Sequence, residues 1–105
     1  MEYKAYAMIM KALGDETRVK ILDMLSEGER CACKLLDEFS VTQPTLSYHM
    51  KILCDCGLVS ARKDGIWMRY TVQQETLADM IGFLNRVATG VPAGIEACDC
   101  KEVAQ

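Results

Sequence analysis

The pair Asp64-Gly65 stands between two runs of extended character, 58–63 and 66–72. Asp-Gly in that setting is a strong signal for a two-residue hairpin turn, since both residues tolerate the positive φ the turn requires. The implied register pairs Lys63 with Ile66, Arg62 with Trp67 and Ser60 with Arg69. Side chains alternate across a strand, so one face carries Val59, Ala61, Ile66, Met68 and Tyr70. The other carries Ser60, Arg62, Trp67 and Arg69.

The rest of the chain reads mostly as helix. Residues 3–13 set Tyr3, Tyr6, Ala7, Met10 and Leu13 on one stripe, and Gly14 stops that helix. Asp15 caps a second helix over 15–27, with Val19, Leu22 and Leu25 inward and Gly28 at its end. A short third covers 32–39, with Leu35, Leu36 and Phe39 toward the core. After the turn at Ser40-Val41, Thr42 caps a fourth over 43–55, with Pro44 in its first turn and Gly57 as its stop. The hairpin follows, and a last helix, 74–89, repeats Leu77, Met80, Ile81, Leu84, Val87 and Ala88. Gly90, Pro92 and Gly94 then break the chain, which divides into a domain over 1–89 and a flexible tail over 90–105.

Two short helices joined by a tight turn, then a hairpin, make a winged helix-turn-helix, here mainly α with a small antiparallel β-hairpin. With Leu46 as the core direction, Met50 and Leu53 fall beside it on a regular helix. Pro44, Ser47, Tyr48 and Lys51 point the opposite way, with Thr45 and Ile52 at the flanks. Hydroxyls and a single Lys on an outward face suit contact in the major groove. Thr42 and Gln43, at the helix start, can reach phosphate or base edges, and Arg62, Lys63 and Arg69 extend the positive surface onto the wing. His49 lies toward the apolar stripe and suits a hydrogen-bonded structural role or a DNA contact better than a metal ligand.

The net charge of −3 argues against nucleic acid only until it is divided along the chain. Residues 1–41 carry 6 basic and 8 acidic groups, residues 42–72 carry 4 and 2, and residues 73–105 carry 2 and 5. The winged segment is therefore the one positive part, and local charge governs affinity for phosphate. With 50% hydrophobic and 26% charged residues the composition excludes a disordered or collagen-like chain. No uncharged apolar run approaches the roughly 18 residues of a membrane span, and the N-terminus has no signal-peptide core. A cytoplasmic protein without membrane contact is expected. A domain of 105 residues is small, and the apolar stripes of its first and last helices are too extended for it alone. They read as a shared homodimer interface.

Six Cys fall in three Cys-x-Cys pairs, Cys31/Cys33, Cys54/Cys56 and Cys98/Cys100. In a reducing compartment paired thiols more often bind metal or sense redox state than form structural disulfides. One His and no His-x-x-x-His make an imidazole-rich zinc site unlike this chain, while thiolate pairs favour soft ions. Cys56 reads as a small buried hydrophobe, and Cys54 lies off the core stripe as a lesser ligand candidate. Burial cannot account for Cys98 and Cys100 in the tail, which makes them additional ligand candidates.

ALGDETRVKIL at 12–22 and TQPTLSYHMKIL at 42–53, in this order and followed by a wing, resemble the ArsR/SmtB family of metal-responsive repressors over about residues 1–89. ERCACKLL at 29–36 resembles the arsenic-responsive branch. The resemblance implies a homodimer that leaves double-stranded operator DNA when an ion binds, with Cys31 and Cys33 as ligands of the inducer, As(III) and by extension Sb(III), and no organic cofactor. Leu36 stands where some members carry a third thiol, and the last helix lacks the His residues of the zinc-sensing branch.

Residues i and i+2 of a regular helix point about 200° apart, so two sulfurs at 31 and 33 cannot meet while that turn is helical. Ligand binding is therefore expected to unwind the helix start and move Ser47, Tyr48 and Lys51 against the duplex. A helix N-terminus with Arg30 and Lys34 nearby is expected to favour both thiolates, and Glu29 to oppose them. Two alternatives stay open: the same repressor fold sensing cadmium, lead or thiol oxidation and persulfide, or a thiol-based metal buffer or small oxidoreductase. No nucleotide loop or acid/base constellation supports an enzyme.

Overall fold

The structure, a computed structural model, describes residues 1–90. The expected tail with Cys98 and Cys100 lies outside the described residues. Helices α1 (Tyr3–Ala12) and α2 (Glu16–Leu25) lead into a two-residue strand, β1 (Arg30–Cys31). Next come α3 (Ala32–Asp37), α4 (Gln43–Asp55), the hairpin β2 (Val59–Asp64) and β3 (Trp67–Val72), and α5 (Gln74–Thr89). The sheet is antiparallel in the order β1-β3-β2. Among the described residues no helix is long and apolar enough to cross a membrane.

The local signals that end each helix explain why these elements form where they do. The Asp15 carboxylate accepts from the Arg18 backbone N–H at 3.1 Å and starts α2. Thr42 does the same for α4, accepting from the Thr45 N–H at 3.4 Å with Pro44 in the first turn. Gly57, at φ 87°, turns the chain out of α4 in a conformation that side-chain-bearing residues avoid. The bounds of α4 and α5 match the sequence reading, whereas α1, α2 and α3 are one to three residues shorter at their ends.

The core gathers one face of every helix on the sheet. Leu46, Met50 and Leu53 of α4 are fully buried, as the stripe predicts, beside Ile21 and Leu25 of α2, Leu35 of α3, and Val59 and Tyr70 of the hairpin. Each such side chain stabilises the fold by about 1.5–3 kcal/mol. Three expectations need correction. In α1 the inward residues are Tyr6, Ile9 and Ala12, while Tyr3 (83% exposed) and Met10 face out. In α2, Ile21 and Leu25 point inward and Val19 faces out. A ten-residue helix with apolar side chains on two faces offers two stripes, and only the neighbours decide which one is core.

The third correction is the register. Asp64 pairs with Trp67, Lys63 with Met68, Arg62 with Arg69, and Ala61 with Tyr70. The turn is Gly65-Ile66, one residue later than expected. Gly65 alone has positive φ (64°), which is the pattern of a turn with glycine at its first central position. Asp64 stays extended because its carboxylate accepts from Arg69 Nε at 2.6 Å. The pairing moves by two residues, so the strand faces keep their parity. Ile66, expected on the inner face, sits in the turn and is 90% exposed.

Strand β1 has no counterpart in the sequence reading. It pairs Arg30 with Tyr70 and Cys31 with Arg69, tying the first cysteine pair to the wing.

Candidate DNA interface and thiol site

The outer face of α4 is built by subtraction. Once Leu46, Met50 and Leu53 enter the core, Gln43, Pro44, Thr45, Ser47, Tyr48 and Lys51 are left exposed. Lys51 Nζ lies 2.8 Å from Asp55 Oδ2, one turn on, and that bond and charge raise the lysine's pKa and keep it cationic. The Thr42 hydroxyl caps the helix and donates to Thr45 Oγ1 at 3.1 Å, so its first task is structural. This face presents an amide, hydroxyls, a phenol and a cation, which suits base edges and phosphate.

His49 departs from that set. Its side chain is 12% exposed and turned toward α2. Arg18 Nη1 donates to His49 Nδ1 at 3.0 Å, and Asp15 Oδ2 lies 3.9 Å from the same nitrogen. A guanidinium has no acceptor, so Nδ1 carries the lone pair and Nε2 the proton. Arg18 Nε also donates to the Ala12 carbonyl at 2.6 Å. One side chain thus fastens the end of α1 and the start of α2 to the reading helix. Sequence reasoning missed Arg18, although Asp15-x-x-Arg18 at a helix start was a usable signal.

The wing's guanidiniums are held by carboxylates. Arg62 donates to Glu29 Oε1 at 2.8 Å, and Arg69 to Asp64 Oδ2 at 2.6 Å. The arginines are direct cross-strand partners, an arrangement of like charges that costs energy unless each is compensated. The Arg69 bond and charge hold the Asp64 carboxyl below the usual carboxylate range and raise the arginine's own pKa. Lys63 is exposed, with no carboxylate partner among the described residues. Among the described residues, the cation that lies over an aromatic ring is Lys20, 5.0 Å from the Phe39 centroid, and not a wing guanidinium.

Cys31 is the last residue of β1 and the N-cap of α3, with extended φ −72° and ψ 144°. Its sulfur accepts from the Cys33 backbone N–H at 3.3 Å. The expectation of two sulfurs held about 200° apart by a regular helix is therefore corrected, because Cys31 precedes the helix with extended backbone and only Cys33 lies within it. The expectation of two favoured thiolates is also corrected. The Cys33 side chain, hydrogen-bonding to Cys31, lowers the Cys31 pKa, and the backbone N–H groups of Cys33 and Lys34 and the charge of Arg69 add to this against desolvation. The same bond, with desolvation and the neighbouring thiolate, raises that of Cys33. Arg30 is engaged elsewhere, donating to Glu27 at 3.0 Å.

Cys54 and Cys56 are half-buried near the end of α4, and burial raises both thiols. The Cys56 thiol donates to the Leu53 carbonyl at 3.3 Å, in keeping with a packing role. Among the described residues no cluster of three or more His, Cys, Asp or Glu side chains could enclose a metal ion. Cys31 and Cys33 thus meet at the joint of β1 and α3, with the Cys31 sulfur accepting from the Cys33 N–H.

Helix α5 buries only Met80 fully. Tyr6 stacks on Phe83 with ring centroids 4.2 Å apart and donates to Asp79 at 3.4 Å, which joins α1 to α5. Ile81, Leu84 and Val87 of α5 (the last 69% exposed) and Tyr3, Met8 and Met10 of α1 remain in solvent.

Comparison with known proteins agrees with this geometry. Residues 15–61 match the profile described as "Bacterial regulatory protein, arsR family". The chain is 47% identical over 103 residues to the arsenical resistance operon repressor of Staphylococcus aureus, covering 98% of this chain and 95% of that one. It is 36% identical over 92 residues to the "Probable mercury resistance operon repressor" of Streptomyces lividans, covering 88% and 74%. Its fold matches the homodimeric winged helix-turn-helix DNA-binding domain of a possible ArsR-family transcriptional regulator from Mycobacterium bovis. That match has a TM-score of 0.66 and 30% identity, over 81% of this chain and 79% of the other.

Proposed function

Since the chain belongs to the ArsR family of bacterial regulatory proteins, as a DNA-binding transcriptional repressor and not an enzyme, we propose that it is a cytosolic homodimer released from operator DNA by trivalent arsenic. The observation that carries this reading is the placement of Cys31 and Cys33 where the first helix of the reading motif begins. Arsenous acid and two thiols suit each other without any third protein ligand. Two As–S bonds form, two As–O bonds break, each thiol proton leaves with a hydroxide as water, and no electron changes hands. The third arsenic position keeps a hydroxide, or a carbon in a methylated species, and antimony has the same valence. A divalent ion such as zinc prefers four ligands, which the described residues do not supply.

In this reading Gln43, Thr45, Ser47, Tyr48 and Lys51 enter the major groove, Thr42 orients the helix start, and Arg62, Lys63 and Arg69 take phosphate on the wing. Bridging Cys31 to Cys33 draws the N-cap of α3 inward. Because Leu35 of α3 packs in the same core as Leu46 and Met50, the shift reaches the reading helix. A coupling of about 1–3 kcal/mol weakens operator binding roughly 5–150-fold. The exposed apolar faces of α1 and α5 pair across the dimer axis, supported by the homodimeric structural relative.

The test is release of the protein from its own promoter DNA at fixed salt, with arsenite, zinc and cadmium in parallel. Arsenite should release the parent and leave the Cys31→Ser/Cys33→Ser variant bound. Release by cadmium alone, or by oxidant without metal, would move the signal to the alternative readings. Indifference to all of them would refute the sensor reading.

A further inference from the structure

We propose that the wing is a direct output of the thiol site, reached along one row of the sheet made by Cys31, Arg69 and Arg62. The proposal rests on the reading above, in which the thiol pair takes the arsenic and the two arginines take phosphate.

The geometry begins with strand order. In β1-β3-β2, Cys31 pairs with Arg69, and Arg69 pairs with Arg62. The candidate sensor residue and two candidate phosphate contacts are therefore consecutive in one cross-strand row, the arrangement in which neighbouring side chains interact. A second tie runs parallel to it. Glu29, directly before β1, accepts from Arg62 at 2.8 Å. One wing guanidinium is thus bonded to the chain leading into Cys31, and the other sits opposite Cys31 itself.

Strand β1 has little to resist a pull. It is two residues long, and without Cys31 the Arg30–Tyr70 pair alone remains. Cys31 also serves two elements at once, ending β1 and capping α3. A bridge from its sulfur to Cys33 cannot reshape the cap without acting on the ladder residue. Loosening β1 removes the neighbour of Arg69 and carries Glu29, with its hold on Arg62, away from β2. The wing then loses the alignment of both guanidiniums.

The experiment measures binding of fluorescently labelled promoter DNA over a salt series, with and without arsenite. The proteins compared are the parent, an Arg62→Gln/Arg69→Gln variant and a Glu29→Gln variant. Each phosphate contact contributes about 0.9 to the slope of log affinity against log salt. Loss of two contacts per subunit should therefore flatten the parent's slope on arsenite by about 3.6 per dimer. The Arg62→Gln/Arg69→Gln protein should bind more weakly from the start, with a slope already flattened, and lose most of its arsenite response. Glu29→Gln, which removes the charge that holds Arg62, should bind operator more weakly from the start and respond less to arsenite. An unchanged slope, or a double variant weakened by arsenite by the same factor as the parent, would overturn the proposal and confine the signal to α3 and α4. A parent indifferent to arsenite would overturn the sensor reading itself, and with it this extension.

Discussion

His49 separates two accounts of the reading helix, one in which every polar residue of α4 touches DNA and one in which a polar residue sets the helix in place. Its Nδ1 accepts from Arg18 at 3.0 Å in a site where the imidazole is 12% exposed. A hydrogen bond to a charged donor contributes about 1.5–3 kcal/mol to stability. His49→Ala should therefore cost at least about 1.5 kcal/mol, since it also leaves a guanidinium N–H without its acceptor. Arg18→Ala should cost more, because Arg18 Nε also donates to the Ala12 carbonyl at 2.6 Å. The double variant should cost less than the sum, with a coupling energy of about 1.5–3 kcal/mol. His49→Asn, whose amide oxygen can take the place of Nδ1, should recover most of the loss. Urea unfolding at one fixed protein concentration reads all four, because a dimer's stability depends on concentration. Additivity within about 0.3–0.5 kcal/mol, together with undiminished stability of His49→Ala, would refute the joint and return His49 to the DNA-contacting face.

The Cys31 thiol should ionise before that of Cys33. The lowered pKa of Cys31 ionises it at lower pH than a free thiol and the raised one of Cys33 at higher pH, so peptide mapping after iodoacetamide across a pH series should resolve two midpoints in that order. Cys33→Ala removes the main cause of the Cys31 shift and should move its midpoint upward. Inducer affinities should differ in their pH dependence. Arsenous acid and protonated thiols release only water, so competition titrations should be nearly flat below the thiol pKa values, whereas cadmium displaces a proton from each thiol and should gain up to about 100-fold per pH unit. Leu84→Glu/Val87→Glu places charge on the exposed α5 face, and sedimentation should show a folded monomer with reduced operator affinity; an intact dimer would contradict the assignment of that face.

The sequence disclosed most where a local signal and a packing requirement agree. Thr42, Pro44 and Gly57 bracket α4, and its apolar stripe has no competitor, so its bounds and its outer face were legible. In α1 two apolar stripes share Tyr6, and sequence alone does not show that the neighbouring elements cover Ile9 and Ala12 rather than Tyr3 and Met10. The hairpin was legible as a hairpin, but its register depended on Asp64 preferring Arg69 to a place in the turn. A two-residue strand has no period to detect, so β1 was invisible, and with it the extended backbone of Cys31. The candidate ligands could be named from their pairing in sequence, whereas their unequal acidity follows first from the hydrogen bond between the two side chains and then from the backbone N–H groups at the helix start, which face Cys31.

If Cys31 and Cys33 alone make the sensor, no other thiol of the chain is needed for release. The most direct test is a protein that keeps only these two thiols, Cys54→Ser/Cys56→Ala/Cys98→Ser/Cys100→Ser, bound to promoter DNA and titrated with arsenite. Release at the same arsenite concentration as the parent is the result expected. Retention on DNA at saturating arsenite, by a variant that binds the operator normally without it, would contradict the claim and assign the signal to the other cysteine pairs.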